Sequence, residues 1–142
     1  MQESKDDQLS QELVVGPMET INAGSIDFGL DYRRFGEDEG VAIHVYADLH
    51  GRQTELLRFD CLNDAPHYHY GPDGKDERLM FDYTAEGDPI PWAIVRLRDH
   101  IVPMLIRAGF SDVARNLDYD LVQDRLNQVE AWASSLARTK GR

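Results

Sequence analysis

Val41-Ala42-Ile43-His44-Val45-Tyr46-Ala47-Asp48-Leu49-His50-Gly51-Arg52 is the stretch on which the fold turns. Successive side chains of a strand point to opposite faces. Val41, Ile43, Val45, Ala47 and Leu49 fall on one face, and Ala42, His44, Tyr46, Asp48 and His50 on the other. His50-Gly51-Arg52 then reads as a hairpin turn. A half-buried strand ended by a tight turn predicts an antiparallel neighbour, and the next residues supply it. Leu57, Phe59 and Cys61 alternate with Leu56, Arg58 and Asp60.

The same period extends outward. Upstream, Ile26, Phe28 and Leu30 alternate with Asp27, Gly29 and Asp31, and residues 36–40 form an acidic turn. Leu13-Val14-Val15, ended by Gly16-Pro17, is a short strand or an anchor for what precedes it. Downstream, Pro72-Asp73-Gly74 is a turn, because proline presets one dihedral and glycine accepts a positive one. Leu79, Phe81 and Tyr83 then alternate with Arg78, Met80 and Asp82. These segments predict an antiparallel meander of about four to five strands.

After Gly87 the period becomes helical. Asp88 has the residue type of an N-cap, with Pro89 at the first helical position. Ile90, Ile94, Leu97, Ile101, Leu105 and Ala108 repeat at helical spacing. Pro103 inside this run is expected to kink or split the helix, and Gly109 to stop it. Ser111-Asp112 is expected to cap a short helical turn. Asp118 or Asp120 opens a last helix striped by Val122, Leu126, Val129, Ala133 and Leu136. Burying both stripes on the apolar sheet face gives a two-layer α+β domain, with two helices following the sheet. Residues 1–12 read as a flexible acidic leader. Residues 13–142 read as one domain, mainly strands over 13–86 and mainly helices over 88–138.

A chain of 142 residues with 42% apolar content can bury a core. Its formal net charge of -11 disfavours polyanionic partners such as nucleic acid or an acidic membrane. Arg96, Arg98 and Arg107, and Arg138, Lys140 and Arg142, read as cations placed near helix C-termini. The single cysteine forms no intrachain disulfide, which fits a reducing compartment. The N-terminus lacks the basic start and apolar run of a signal peptide, and no run has the length of a membrane span. The expected location is cytoplasmic.

Candidate chemistry gathers on the polar sheet face and in the segment after Asp60. His44, Tyr46, Asp48, Arg58, Asp60, Arg78 and Asp82 fall on the face opposite the core. One reading is a solvated face with cross-strand pairs such as Arg58 with Asp48 or Arg78 with Asp60. The other is a concave site in which Arg58 or Arg78, with Asp60 and Tyr68 beside them, grips a carboxylate or phosphate. His67-x-His69 in extended chain puts both imidazoles on one face, where they can hold a divalent metal such as zinc with Asp60. His44, His50, Asp64 or Cys61 are further ligand candidates. The alternatives are structural histidines or acid–base catalysts. If Gly71 faces Lys75 across the turn, His69 faces Glu77 and His67 faces Leu79, and both rings turn toward the core. A shift of one residue turns them outward. Cys61 reads as a buried core residue; as a nucleophile it would need a neighbouring histidine to lower its pKa. No Rossmann or Walker pattern is present. Trp92 and Trp132, on the helices, read as packing or interface residues.

Arg58-Phe59-Asp60-Cys61 followed by Pro66-His67-Tyr68-His69-Tyr70 resembles the core of an uncharacterised group of small bacterial and archaeal proteins. It is also similar to TumE-type toxins of toxin–antitoxin pairs, which carry Arg-Tyr-Asp-Asn on a strand and then Pro-His-x-His. Cys61 stands where that pattern has Asn, and the helical half lies outside the resemblance. The resemblance implies a small α+β module acting through a partner, with nucleic acid as one class of target. The acidic balance counts against a free RNA-cleaving toxin, and no catalytic residue is carried over. The leading functional expectation is a small module that binds a protein partner or a second copy of itself. The other expectations are a metal-binding protein or metal-dependent hydrolase using Asp60, His67 and His69, and a small-ligand binder using Arg58 and Arg78.

Overall fold

A computed structural model describes residues 12–142. The expected acidic leader lies outside the described residues, except for Glu12, which opens the first strand. Six strands follow in sequence: β1 (Glu12–Ala23), β2 (Ile26–Phe35), β3 (Asp38–Leu49), β4 (Arg52–Leu62), β5 (His67–Tyr70) and β6 (Glu77–Met80). They form one sheet in the order β1-β2-β3-β4-β5-β6, each antiparallel to its neighbour. Four helices complete the domain: α1 (Tyr83–Glu86), α2 (Pro89–Arg107), α3 (Ser111–Arg115) and α4 (Tyr119–Lys140). The arrangement is α+β, with the two long helices after the sheet.

The alternation of β3 sets the layers as expected. Val41 faces Cys61, Ile43 faces Phe59 and Val45 faces Leu57, and all six side chains are buried in the core. β1 is longer than the Leu13–Val15 strand expected. It continues past an irregularity between Val15 and Glu19 to bring Ile21 opposite Phe28. Gly16, with φ of 84°, and Pro17 occupy that irregular stretch, where a residue without an N–H disturbs the ladder least. β6 is shorter than expected. It ends at Met80, and Asp82 leaves the sheet to cap α1 by accepting hydrogen bonds from the Thr84 and Ala85 amides.

α2 begins as expected, with the Asp88 carboxylate accepting from the Ile90 amide and Pro89 in the first turn. It buries Ile90, Ala93, Ile94, Leu97, Ile101, Met104 and Leu105 against β4 and β5. The helix is not split at Pro103. Pro103 and Asp99 are both exposed, so the Asp99 carbonyl that loses its helical partner lies on the solvent side. α4 starts from Asp118, whose carboxylate accepts from the Leu121 amide. Its stripe of Val122, Leu126, Val129 and Ala133 is fully buried against β1, β2 and β3. Together the helices cover one sheet face, and the second face is left to polar side chains. No helix among the described residues is long and apolar enough to cross a membrane.

Two irregularities shape that second face. Between Val45 and Tyr46 the β3–β4 register shifts, so Tyr46 faces Glu55 while Val45 faces Leu57. The extra residue, Leu56, joins the core cluster and is 0% exposed. Simple alternation placed Leu56 beside Arg58 and Asp60; the bulge gives that side of the sheet to Glu55 instead. The second irregularity is the loop from Gly71 to Asp76. The amides of Gly74 and Asp76 both donate to the Gly71 carbonyl at 2.8 Å, and Asp76 takes a φ of 55°, a left-handed conformation that aspartate tolerates better than most residues. The pairing that follows is Tyr70 with Glu77, His69 with Arg78, Tyr68 with Leu79 and His67 with Met80. This is one residue away from the closure that faced Gly71 with Lys75, and it turns both histidines away from the core.

Candidate metal and ligand site

The register puts Asp60 directly opposite His67, and Arg58 opposite His69. All four therefore rise from one face of the sheet. Asp60 is 2% exposed and His69 7% exposed, so their interactions are screened little by solvent. Asp60 Oδ2 lies 3.1 Å from His67 Nε2 and 3.2 Å from His69 Nε2. Arg58 Nε donates to the same oxygen at 3.2 Å. Burial alone would raise the pKa of Asp60, but its bonds to the two imidazoles and the charge of Arg58 outweigh it and hold the carboxyl far below its ordinary range.

The far side of each imidazole is tied down. His67 Nδ1 lies 2.9 Å from the Ala65 carbonyl, an acceptor only, so this nitrogen is an N–H donor. His69 Nδ1 donates to Asp76 Oδ1 at 2.7 Å. His69 Nε2 also lies 3.3 Å from Arg58 Nη2. The same nitrogen lies 3.2 Å from Asp60 Oδ2, which only accepts, so it serves that carboxylate as an N–H donor. Both Nε2 atoms and Asp60 lie within 4.8 Å of one another and can serve as ligands once a metal displaces the Nε2 protons. Burial alone would lower the pKa of His67, but its bonds to Asp60 and the Ala65 carbonyl raise it. An acceptor fixing Nδ1 behind an Nε2 ligand is the usual support of a metal-bound histidine. Asp60 Oδ1 is buried and has no hydrogen-bond partner among the described residues, so its lone pairs are free for a cation.

The cluster continues inward as a chain of alternating charge. Arg58 Nη1 donates to Glu55 Oε1 at 3.1 Å. Glu55 Oε2 lies 2.5 Å from His44 Nδ1, and Asp31 Oδ1 lies 3.1 Å from His44 Nε2. Two carboxylates, which only accept, flank both ring nitrogens, so His44 is an imidazolium. Burial opposes that charge, yet the bonds to Asp31 and Glu55 prevail and raise its pKa. Arg33 then binds Asp31 through two nitrogens at 2.9 and 3.0 Å and pairs with Glu12. Asp31, Glu55 and Arg33 do not stand out in the sequence as site residues. Asp31 has a visible signal, since it alternates with apolar Leu30 and Phe28. Glu55 has none, because only the bulge brings it to this face.

The other sequence candidates lie elsewhere. His44 is held between its carboxylates, not beside Asp60. His50, with φ of 54° at the β3–β4 turn, and Asp64, in the β4–β5 loop, are both exposed. Cys61 faces Val41 in the core, where burial first, and the charges of Asp60 and Asp88 next, push the thiol well above its ordinary pKa. Tyr68 lies on the core side of β5, stacked on Phe59 with ring centroids 5.6 Å apart. Trp92 packs against Phe59, Tyr68 and Phe81. The expected cross-strand pairs are replaced: Arg58 pairs with Asp60 of its own strand and with Glu55.

The cluster opens on a cavity of about 500 Å³, within the usual range for small-molecule sites. Arg58, Asp60, His67, His69 and Arg78 line its polar side, and Phe35, Leu62 and Met80 its apolar side. No curated protein and no solved structure matches the chain. A family model described as a domain of unknown function, DUF7700, matches residues 20–133, which run from the end of β1 through most of α4; the chain belongs to that family.

Proposed function

We propose that the protein binds a divalent transition metal through Asp60, His67 and His69, and that the site serves chemistry on a small molecule in the adjoining cavity. The observation that carries this reading is the convergence of two Nε2 atoms on one buried carboxylate, each ring oriented by an acceptor at Nδ1. Imidazole and carboxylate together favour zinc or a similar first-row ion over magnesium or calcium. Three protein ligands leave a coordination position for water or substrate, as in catalytic zinc sites and unlike closed structural ones. When bound, such an ion supplies Lewis acidity toward water or a carbonyl or phosphoryl oxygen, which suits hydrolysis.

Arg58 is the opposing factor, since its guanidinium repels a second cation at Asp60. Asp60 and Asp76 oppose that charge at the cluster, and Glu55 holds the guanidinium from its other side. The role of Arg58 in this reading is to orient Asp60, and that of Asp76 and the Ala65 carbonyl is to hold the rings. Heating the untagged protein with EDTA, with magnesium and with zinc tests the proposal. A zinc-specific rise in melting midpoint is expected, and no difference among the three would refute it.

Partner binding or self-association is the second reading. It loses Trp92, which lies in the core packing, and keeps Trp132, which is 40% exposed on α4. Light scattering during size exclusion tests it, and a strict monomer with no partner in a pull-down counts against it. The DUF7700 match extends neither to the toxin resemblance nor to a source organism, and neither proposal uses them.

A further inference from the structure

The cavity beside the cluster is lined by charges of both signs, and all but one of them have partners. Glu12 pairs with Arg33. The Asp38 carboxylate accepts three backbone hydrogen bonds, from the amides of Glu39, Asp64 and Ala65, each at 2.9 Å. Asp60 is held by Arg58 and the two histidines, and Arg58 by Asp60 and Glu55. Arg78 differs. It stands opposite His69 on β6, at the cavity wall, and among the described residues it makes no ion pair or side-chain hydrogen bond. The cavity's carboxylates are therefore each held by donors, Asp38 by backbone amides, and the one lining charge without a hydrogen-bond or ion-pair partner among the described residues is a guanidinium.

Apolar side chains complete the lining. Phe35 and Leu62 rise from β2 and β4, and Met80, 58% exposed, stands opposite His67 on β6. An exposed methionine beside an unpartnered arginine matches a ligand with a charged end and an apolar body. We propose that the cavity binds a small organic oxyanion, a carboxylate or a phosphate ester, with Arg78 as its anchor and Phe35, Leu62 and Met80 against its apolar part. A guanidinium meets either oxyanion through two parallel N–H bonds. The inference shares the cavity of the metal reading and stands without the ion.

The test is calorimetric titration of EDTA-treated, untagged protein with phenylacetate, with phenyl phosphate and with neutral phenylacetamide. At least one anion is expected to bind about tenfold or more tightly than the amide, the scale of a charge-assisted bond. The stronger anion identifies the headgroup. Arg78→Gln is expected to abolish that tenfold preference and leave the melting midpoint unchanged, because Arg78 is exposed and makes no ion pair among the described residues. Anions that bind no better than the amide, or an Arg78→Gln protein that keeps the preference, would overturn the inference. Repeating the titration with zinc present separates the two proposals: absent zinc binding with intact anion preference removes only the metal reading.

Discussion

His44 is 0% exposed and carries a charge that two carboxylates make tolerable. Taking one partner from such a buried system leaves an uncompensated charge, which costs about 3–5 kcal/mol. Asp31→Ala is expected to lose stability on that scale in urea unfolding, far more than a surface pair would. The pH dependence follows from the two shifts. The pKa of His44 is raised from 6.5, so its contribution is full below 6.5 and is lost as pH climbs through the folded value. Asp31 is the reverse. Burial raises its pKa, His44 and Arg33 together more than reverse this, and its contribution is present above 3.8 and lost as pH falls through the lowered value. The groups facing His44 are Asp31 and Arg33 from β2, Tyr46 from β3, and Glu55 from β4. The part of the unfolding free energy carried by His44 and Asp31 is expected to hold level between these limits and decline outside them. His44→Gln is expected to weaken the alkaline decline and leave the share of His67, whose pKa is also raised by Asp60 and the Ala65 carbonyl against its burial. At the candidate site, Asp76→Ala frees the His69 ring while keeping all three ligands. Loss of such an outer support lowers metal affinity about 10- to 100-fold, measurable by competition with a chromophoric chelator. Unchanged affinity would show that Asp76 does not orient the ring.

Among the elements, the starts of the two long helices were the most legible from the sequence, whereas α3 starts from Phe110 with no side-chain cap, in place of the Ser111-Asp112 cap expected. Asp88-Pro89 and Asp118 have the residue types that caps require, and each carboxylate accepts the amide expected of it. Asp118→Ala is expected to cost about 1 kcal/mol by thermal or urea unfolding. Strand faces were legible where alternation is strict, as from Val41 to Val45. They failed at Leu56, because a bulge is set by the pairing of two strands and leaves no mark on the pattern of one. The β5–β6 register was likewise open, since the loop closes through Gly71, Gly74 and Asp76 and not through the Pro72-Asp73-Gly74 turn alone. Gly40 shows another constraint invisible in one strand. A Cβ there would sit 2.0 Å from the Cys61 carbonyl oxygen and 2.8 Å from Leu62 Cα. The neighbours are backbone and cannot yield cheaply, so Gly40→Ala is expected to destabilise by about 1–3 kcal/mol and to loosen the β3–β4 pairing that carries Asp60. Wild-type stability in that variant would contradict the pairing of Gly40 with Leu62.

At the scale of the molecule, two helices seal one face of a six-stranded sheet and leave the other to a chain of charges running from β1 to the β5–β6 loop. The layering was readable because apolar periodicity reports burial directly. The site was half readable. Asp60, His67 and His69 are close in sequence and of metal-binding type, but their convergence depends on a one-residue choice of register. The partners that hold them, Asp76 and the Ala65 carbonyl, have no signature of their own. The molecule therefore commits a DUF7700 chain to one buried carboxylate–dihistidine cluster at the wall of a cavity. Isothermal titration of untagged protein with zinc, beside the His67→Ala/His69→Ala double variant, tests that assignment most directly. One ion per chain in the wild type and none in a folded double variant is the predicted result; no binding by the wild type, or equal binding by both, would contradict it.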